Sequence, residues 1–345
     1  MKKITIMMIA MMILLSCAPK ANIDIGIILP TRDEPRWLQD EANFKEQIEN
    51  AGFSAKILFS QGRSENEKIN VENLIARGIR VLVICPHDSD AAASAADLAH
   101  LKGIKVIAYD RIITNTSSLD FYVTFDNMAV GAAQARYLIE RASGDGNPLY
   151  LYAGATTDNN AFFFFAGAWE TLQPYIANGK FVIKNSSEAI ALSGKAQLTR
   201  EEQSKIINQI STNWDFNTAK SLSEAHLTRA TARDKGDVFI LAPNDGTARA
   251  IVDTFNADPA ITSYVITGQD AEKASLQYIR DGKQSMTVYK DTRKLVDAAI
   301  EVAVKFLNGE TIQTNQQYHN GLVNVPAKLL DIIVIDKDNV RYFNN

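Results

Sequence analysis

Short runs of apolar residues alternate with longer amphipathic stretches along almost the whole chain. The apolar runs have the length of buried strands and lie at residues 23–29, 55–60, 81–86, 105–110, 121–125, 149–154, 181–185, 238–243, 264–268 and 285–290. Between most of them, helical periodicity is visible at residues 37–50, 66–77, 89–102, 128–142, 245–257 and 292–308. This alternation predicts parallel sheets covered by helices on both faces.

The number of predicted strands indicates two sheets rather than one. Ten strands are too many for one small sheet, whereas two sheets of about five strands each suit a chain of 345 residues. The first series ends near Asp126, where a helical pattern begins a second series. Residues 186–216 are weakly patterned, and we expect a long loop and one helix there.

The beginning of the chain carries the pattern of an export signal. Lys2 and Lys3 precede an apolar segment at residues 4–15 that is too short for a comfortable membrane span. Residues 14–17 read LLSC and resemble the bacterial lipobox, in which the signal is removed before the cysteine and the cysteine is lipidated. The alternative is an ordinary secretory signal in which Cys17 is incidental.

Lipidation at Cys17 would attach the exported protein to a membrane. Removal of residues 1–16 leaves this cysteine at the new N-terminus, and two or more acyl chains hold a protein firmly at a bilayer. We therefore expect a membrane-anchored protein in the periplasm or at the cell surface. The other cysteine, Cys85, lies in an apolar run where burial is more common than chemistry, so no disulfide is expected.

The charge of the chain argues against nucleic acid as a partner. With 36 basic and 40 acidic residues, the formal net charge is −4, and loss of the two signal lysines makes it more negative by two. A mildly acidic chain without a basic stripe lacks the features of a nucleic-acid-binding protein. The four histidines show no metal-ligand spacing, and the sequence predicts neither a metal nor a cofactor.

Polar side chains follow nearly every predicted strand. In open α/β sheets, ligands bind beyond the carboxyl ends of the strands. The polar and charged side chains at these positions are Thr31, Arg36, Asp110, Arg111, Asp126, Asn127, Asp158, Asn159, Asn160, Asn244, Asp245, Gln269, Asp270 and Lys290. Each alone is typical of a helix cap or a loop salt bridge, but together they indicate a binding site at one rim of the sheets.

These residue types suit a neutral polyol. Aspartate, asparagine and arginine form paired, planar hydrogen bonds, and adjacent sugar hydroxyls offer matching pairs. Acids and bases are nearly balanced at the rim, whereas a phosphate or carboxylate ligand would favour an excess of bases. The apolar face of a pyranose also stacks on an aromatic ring, for which Trp37 is the first candidate and Phe163 the second. Packing of Trp37 on its own domain is the equal alternative.

The segment TTDNNAFFFFAGAWETL at residues 156–172 predicts a helix with a polar start. Asp158 or Asn159 is placed as the N-cap, and several of the following aromatic residues form an ordinary core stripe. A spare asparagine and an outward-facing Phe163 remain at the open end of the helix. This is the end at which α/β proteins bind ligands.

Seven stretches of the chain are similar to one family of proteins. They read RW (36–37), VLVI (81–84), GIKVIAYDR (103–111), TFDN (124–127), DNNAFFF (158–164), TGQDAE (267–272) and TVYKDTR (287–293). They resemble the periplasmic monosaccharide-binding proteins of bacterial ABC importers, in the branch with the xylose-binding and the glucose/galactose-binding multiple-sugar proteins. The likeness covers nearly the whole chain after the signal, and GIKVIAYDR and TGQDAE are its most specific parts.

The resemblance implies the type I periplasmic binding protein fold, with two doubly wound parallel-sheet α/β domains joined by a three-crossing hinge. It implies an N-terminal domain of residues 22–126 and 290–324 and a C-terminal domain of residues 127–289 and 325–345. The implied sugar contacts are Arg36, Asp110, Arg111, Asp158, Asn160, Asn244, Asp270 and Lys290, with Trp37 as the stacking face. The implied partners of the monomer are a monosaccharide such as glucose, galactose or xylose and an ABC permease.

One departure from the family pattern concerns the second aromatic residue. The family usually has a tryptophan in the loop before the helix near 201–213, but this chain reads SGKAQLTREEQ there and Gln197 holds the place. Trp214 lies too late in the chain for that role, so we expect that Phe163 covers the second sugar face or that the ligand differs. The calcium loop of some galactose-binding relatives is also missing, so no metal is expected in the C-terminal domain.

A carbohydrate-active enzyme and a sugar sensor are the alternative interpretations. Carboxylates at strand ends could act on a glycoside, but each has a nearby base or amide that keeps it ionised. The chain has no GxSxG, P-loop, HExxH or GxGxxG motif, so we expect no enzyme. A sensor that reports to a chemoreceptor or kinase would use the same site, and the sequence does not separate sensing from transport.

Overall fold

The computed structural model describes residues 23–312, 314 and 316–343, and the proposed signal segment with Cys17 lies outside them. The helices are α1 (Pro35–Ala51), α2 (Ser64–Ile75), α3 (Ala93–His100), α4 (Asn127–Arg141), α5 (Asn159–Ala177), α6 (Ser187–Ala191), α7 (Arg200–Ile210), α8 (Phe216–Arg229), α9 (Asp245–Ala257), α10 (Lys273–Arg280) and α11 (Thr292–Asn308). The strands are β1 (Ile25–Leu29), β2 (Ala55–Phe59), β3 (Val81–Ile84), β4 (Lys105–Tyr109), β5 (Phe121–Phe125), β6 (Asn147–Leu151), β7 (Phe181–Ile183), β8 (Gly236–Leu241), β9 (Ile261–Ile266), β10 (Met286–Tyr289), β11 (Gln316–His319), β12 (Asn324–Leu330) and β13 (Ile333–Asp336). None of the helices in this part of the chain is long and apolar enough to span a membrane.

The first sheet has seven strands in the order β11-β12-β5-β4-β3-β1-β2. All neighbouring strands are parallel except β11 and β12. Its central strands are apolar on both faces because helices cover both: α1 and α11 pack on one face, and α2 and α3 on the other. In the first of these layers, the rings of Phe44 and Tyr109 lie 4.9 Å apart.

The second series of strands forms a four-stranded parallel sheet, β7-β6-β8-β9, and an antiparallel pair of β10 with β13. A single parallel bridge connects this pair to the residues after β9. Helices α4 and α5 cross closely at two glycines. A Cβ atom at Gly131 would lie 1.8 Å from the carbonyl oxygen of Phe164, and one at Gly167 would lie 2.1 Å from that of Met128. Larger residues at these glycines would push α5, and the polar residues at its start, out of place.

The chain crosses between the two sheets three times, after β5, after β10 and after β12. The predicted class of two parallel α/β sheets with helices on both faces is confirmed. The expected last boundary between residues 324 and 325 needs correction, because β12 pairs in parallel with β5 in the first sheet. We call residues 23–126 and 291–330 the first unit, and residues 127–290 and 331–343 the second unit.

The hydrophobic pattern misses the last three strands. Strand β11 has the polar sequence QQYH, and Pro326 interrupts the pattern of β12, so neither looks like a buried strand. The first sheet therefore contains seven strands, and the second series forms a four-stranded sheet and a two-stranded pair. The pattern predicts two sheets of about five strands each. Within residues 186–216 the structure has two complete helices, α6 and α7, and the first residue of α8, where the pattern predicts one helix.

Candidate functional site

A narrow cavity lies between the two units, at the carboxyl ends of their parallel strands. Its unfilled space, counting the opening to solvent, is about 310 Å³. The lining residues are Glu34, Arg36, Trp37, Asp110, Arg111, Asp158, Asn160, Phe164, Trp214, Asn244, Gln269, Asp270 and Lys290. Both units contribute to the lining, so this cavity, which we call the inner cavity, depends on their close approach.

Nine of the ten side chains expected to contact a ligand line the inner cavity, and Phe163 does not. Local backbone structure explains why these side chains meet. Pro35 starts α1, which places Arg36 and Trp37 in its first turn, and both are buried. Asp110, directly after β4, has a φ of 62°, which is uncommon for a residue other than glycine. Its carbonyl oxygen accepts hydrogen bonds from the hydroxyls of Tyr122 and Thr124, which hold this turn.

Arg36 joins carboxylates of both units. Its Nη2 atom lies 2.6 Å from Oδ2 of Asp110, and its Nη1 atom lies 3.4 Å from Oδ1 of Asp270. Lys290 Nζ lies 2.9 Å from the same Asp270 oxygen. Burial alone would raise the pKa of Asp110, but Arg36 and Lys290 outweigh burial and hold that pKa below its usual value. The Asp110 carboxylate is therefore a charged hydrogen-bond acceptor at the cavity.

Arg111 and Asp158 form a second ion pair between the units, with 2.9 Å between Nε and Oδ2. Asp158 is also the N-cap of α5, because its Oδ1 accepts a hydrogen bond from the backbone N–H of Asn160. Burial raises the pKa of Asp158 in spite of the neighbouring Arg111. The Asp158 side chain thus fixes the start of α5 and contributes to the cavity wall.

The two asparagines at the start of α5 have different roles. Asn160 reaches the first unit, because its Nδ2 atom donates to the carbonyl oxygen of Asp110 at 3.0 Å. Within the second unit, its Oδ1 atom accepts a hydrogen bond of 3.0 Å from Asn127. Asn159 faces away from the cavity, and its Oδ1 atom accepts a hydrogen bond of 2.6 Å from Arg200. The spare asparagine of the sequence therefore anchors α7 to α5.

The aromatic walls of the cavity are Trp37 from the first unit and Phe164 and Trp214 from the second. The rings of Phe164 and Trp214 meet edge to face with 6.2 Å between their centroids. Phe163 instead packs against Tyr318, with 5.3 Å between ring centroids. The structure therefore does not support Phe163 as the ring that covers a ligand face, because its side chain packs against Tyr318 and does not line the inner cavity.

Trp214 lines the inner cavity, contrary to the expectation that it lies too late in the chain for such a role. Its indole ring lies over Gly154, where a Cβ atom would be 2.0 Å from the ring, so this arrangement requires glycine. Asn213 and Trp214 have φ angles of 52° and 61°, and this unusual turn directs the ring inward. Gln197 is exposed, within the segment that connects α6 to α7. The turn TNWD before α8 is the only sequence signal for this position.

The turn that carries Asp270 has its own support. Asp270 and Ala271 have φ angles of 95° and 51°. Below them, Asp245 is fully buried and accepts hydrogen bonds of 2.8 Å from Gln284 Nε2 and 2.8 Å from the backbone N–H of Glu272. Burial, and then the charge of Glu272, raises the pKa of Asp245 well above its usual value. Asp245 therefore acts on the site by positioning the Asp270 turn.

Some polar atoms of the cavity wall are buried without a hydrogen-bond partner within the described residues. They include Nε1 of Trp214 and Oε1 of Gln269. Buried polar groups normally have partners, so such atoms at a cavity suit a hydroxylated ligand that supplies them. Gln269 is one residue from Asp270 and is absent from the contacts that the family resemblance implies.

Direct hydrogen bonds join the units beside the cavity. The backbone N–H of Ser89 donates to the carbonyl oxygen of Thr157 at 2.9 Å, and the backbone N–H of Asn159 donates to Ser89 Oγ at 3.2 Å. Ser89 is buried at this junction. The structure therefore has the two units in contact on this side of the cavity.

Residues 23–312, 314 and 316–343 contain no group of three or more His, Cys, Asp or Glu side chains that could hold a metal ion. Cys85 is a buried free thiol in the first sheet. Burial raises its pKa well above the usual value, which makes a reactive thiolate unfavourable.

Comparisons with known sequences identify the family. Residues 25–311 match the family model described as periplasmic binding protein domain. A D-xylose-binding periplasmic protein of Haemophilus influenzae is 34% identical over 96% of this chain and 92% of its own length. The multiple sugar-binding periplasmic receptor ChvE of Rhizobium radiobacter is 33% identical over 91% of this chain and 87% of its own length.

Solved structures agree with the sequence relatives. A carbohydrate transporter solute-binding protein from Chloroflexus aurantiacus, in complex with D-glucose, has a TM-score of 0.91 and 62% identity, covering 93% of this chain and 94% of that chain. An ABC transporter solute-binding protein from Clostridium phytofermentans, with bound β-D-glucose, has a TM-score of 0.81 and 30% identity, covering 92% and 95%. The resemblance seen in the motifs is thereby confirmed, and this chain belongs to the periplasmic binding protein family, with sugar-binding components of ABC transporters among its relatives.

Proposed function

We propose that this protein captures a monosaccharide of the glucose/galactose or xylose type in the inner cavity and delivers it to an ABC permease. The observation that carries this proposal is the cavity itself, which is lined by charged, amide and aromatic side chains from both units. Such a set of donors and acceptors matches a ring of hydroxyl groups, and the aromatic rings match the apolar faces of a pyranose.

The charge balance of the cavity favours a neutral ligand. Arg36 and Lys290 are already paired with carboxylates, and Arg111 is paired with Asp158. An anionic ligand would have to displace these buried pairs, whereas sugar hydroxyls can donate to the carboxylates and accept from the bases at the same time. We therefore propose the nine cavity residues named above as sugar contacts and add Trp214 and Gln269 to them.

Among monosaccharides, glucose is the first candidate. The solved relative from Chloroflexus aurantiacus, at 62% identity, contains D-glucose, and the one from Clostridium phytofermentans contains β-D-glucose. The relative from Haemophilus influenzae is a D-xylose-binding protein. A hexose or pentose in the pyranose form would offer the same hydroxyl pattern to the rim, so xylose is the second candidate.

Binding is proposed to proceed by closure of the two units as domains around the three crossings. In an open form the sugar meets one rim, and the other rim then closes on it and excludes water. The hydrogen bonds at Ser89 and at Asn160 support such a closed state, because they form only between units. Closure also creates a surface that a permease can distinguish from the open form.

The mature protein is proposed to be exported and held at a membrane by lipidated Cys17, as a monomer and without enzymatic activity. The LLSC motif supports the anchor, and the transport relatives support the absence of catalysis. A sensor that passes the signal to a chemoreceptor or kinase is the alternative, because it would use the same cavity. Loss of membrane association in Cys17→Ser, with the sugar affinity retained, is the expected result of a fractionation experiment.

Calorimetric titration tests the proposed ligand class. The protein is unfolded and refolded to remove carried-over sugar, and then titrated with glucose, galactose, xylose, arabinose and ribose. Dissociation constants from below about 1 μM to several μM for a hexose or pentose would support the proposal. Absence of measurable binding to all five sugars would contradict the proposal, and sugar acids and other polyols would then be tested.

A further inference from the structure

A second and larger cavity, which we call the outer cavity, adjoins the inner cavity. Its unfilled space, counting the opening to solvent, is about 1150 Å³. Four residues line both cavities: Glu34, Arg111, Trp214 and Asn244. The two cavities thus share part of their walls, so a substituent on a sugar in the inner cavity would lie next to the outer cavity.

The outer cavity is present in a structure in which the two units are in contact across the cleft. Thr157 accepts the hydrogen bond from Ser89 across the cleft and also lines the outer cavity. Arg111 keeps its ion pair with Asp158 in the same structure. Occupancy of the outer cavity therefore does not require these contacts between the units to break.

The outer cavity contains an exposed aromatic ring. Phe216, the first residue of α8, lines this cavity and has 40% of its surface exposed. It follows Trp214, whose ring lies at the boundary of the two cavities, and the capping residue Asp215. Phe216 thus presents an apolar face beside polar groups. This surface is complementary to a sugar ring, which also has an apolar face and polar hydroxyl groups.

The charges around the outer cavity select against an anionic occupant. Its acidic lining residues outnumber its basic ones, with Asp33, Glu34, Asp215 and Glu272 against Arg111 and Arg249. Arg249 is already paired with Glu272 at 2.6 Å. A phosphate or carboxylate in this space would meet net negative charge, whereas a neutral hydroxylated ring would find both donors and acceptors.

We propose that the outer cavity is a second subsite, which accepts the second ring of a neutral disaccharide whose first ring occupies the inner cavity. Phe216 is the stacking surface of this subsite, and Trp214 lies between the two rings. The inference rests on the proposed monosaccharide function of the inner cavity and extends the ligand class to sugars with one glycosidic linkage.

Titration of the refolded protein with disaccharides tests this subsite. Glucose is titrated first, followed by maltose, cellobiose, isomaltose and the two methyl glucosides, which together vary the position and orientation of the linkage. At least one disaccharide is expected to bind within about tenfold of glucose. Glucose 6-phosphate, the anionic comparison, is expected to bind at least about a hundredfold more weakly.

Variants of Phe216 separate the subsite from the inner cavity. Phe216→Ala is expected to weaken the bound disaccharide by about three- to tenfold and to change the glucose affinity less than about twofold. Phe216→Tyr retains an aromatic face and is expected to restore the disaccharide affinity. Leu101→Ala is the matched control, because Leu101 is exposed at 81% and lines neither cavity.

The outcomes distinguish this inference from the proposed function. Glucose binding together with weakening of every disaccharide by more than about a hundredfold would overturn the subsite and leave the monosaccharide function intact. The same conclusion follows if a disaccharide binds but Phe216→Ala leaves its affinity unchanged. Absence of measurable binding to glucose, the other monosaccharides and all disaccharides would overturn both the subsite and the proposed monosaccharide function.

Discussion

Arg111 and Asp158 lie 2.9 Å apart, although Arg111 follows a strand of the first unit and Asp158 caps a helix of the second. We propose that the charged residues of this cleft have two functions: they bind the ligand, and they hold the two units together around it. Arg36 repeats the arrangement, with Asp110 on its own unit and Asp270 on the other. The account therefore predicts that changes at these residues affect both affinity and closure.

Removal of the Asp110 carboxylate is the simplest test of the proposed contacts. Asp110→Ala is expected to weaken sugar binding at least about tenfold, because a buried hydrogen bond to a charged group is worth roughly 1.5–3 kcal/mol. Calorimetry with glucose measures the effect. The control is Asp145→Ala, an exposed acid outside the cavity. An unchanged affinity in Asp110→Ala would remove this residue from the site.

Trp214 and Phe163 form a matched pair of aromatic substitutions. Trp214→Ala is expected to weaken glucose binding by about tenfold, because it removes one aromatic wall of the cavity. Phe163→Ala removes a ring that packs against Tyr318 instead, so its effect on affinity is expected to stay within about twofold. Titration of both variants with glucose decides between the two rings, and the reverse ranking would contradict the geometry.

Ser89 is expected to set affinity without touching the sugar. Ser89→Ala removes the acceptor for the Asn159 backbone N–H, so the closed state loses one hydrogen bond between the units. Affinity for every sugar in the panel should fall by the same factor of about two- to tenfold, with the ranking unchanged. Ser94→Ala, at an exposed serine of α3, is the control. A change in ranking would mean that Ser89 acts on the ligand directly.

The pattern of strand ends explains how much of the site the sequence reveals. Asp110, Arg111 and Asn244 follow apolar runs directly, and parallel strands bring their carboxyl ends to one rim. Trp214 escapes this reasoning because its place depends on two consecutive positive φ angles and on the space above Gly154. Backbone strain of this kind has no signature in hydrophobic periodicity.

The choice between Phe163 and Phe164 shows a second limit of sequence reasoning. Helical spacing correctly separates the core stripe of α5 from the other face, but it does not say which neighbouring element covers that face. Tyr318, on a strand that the pattern does not predict, covers Phe163. The misplaced boundary at 324/325 has the same origin, because the polar edge strand β11 and the Pro326-containing β12 do not look like buried strands.

The lowered pKa of His226 predicts that the stability of the protein depends on pH. Burial, and then the charge of Arg229, lowers its pKa from the usual 6.5 to about 4. The folded protein therefore keeps His226 neutral where the unfolded chain protonates it, and the free energy of unfolding should fall as the pH drops from 6.5 towards 4. Denaturant unfolding of the wild type and of His226→Gln across this range measures the difference.

Two buried acids change the same pH profile in the opposite direction. Burial raises the pKa of Asp40 to about 6 and that of Glu67 to about 7, so the folded state favours their protonated forms and gains stability as the pH falls. The difference between the wild type and His226→Gln cancels these two contributions. A difference that stays constant from pH 6.5 to 4 would contradict the assignment to His226.

Small-angle X-ray scattering of the refolded protein, with and without saturating glucose, tests the central claim most directly. The account predicts that glucose lowers the radius of gyration of the wild type, because the two units close around the sugar, and that Asp110→Ala requires a higher glucose concentration for the same change. Tight glucose binding with an unchanged radius of gyration would contradict a clamp that closes on its ligand.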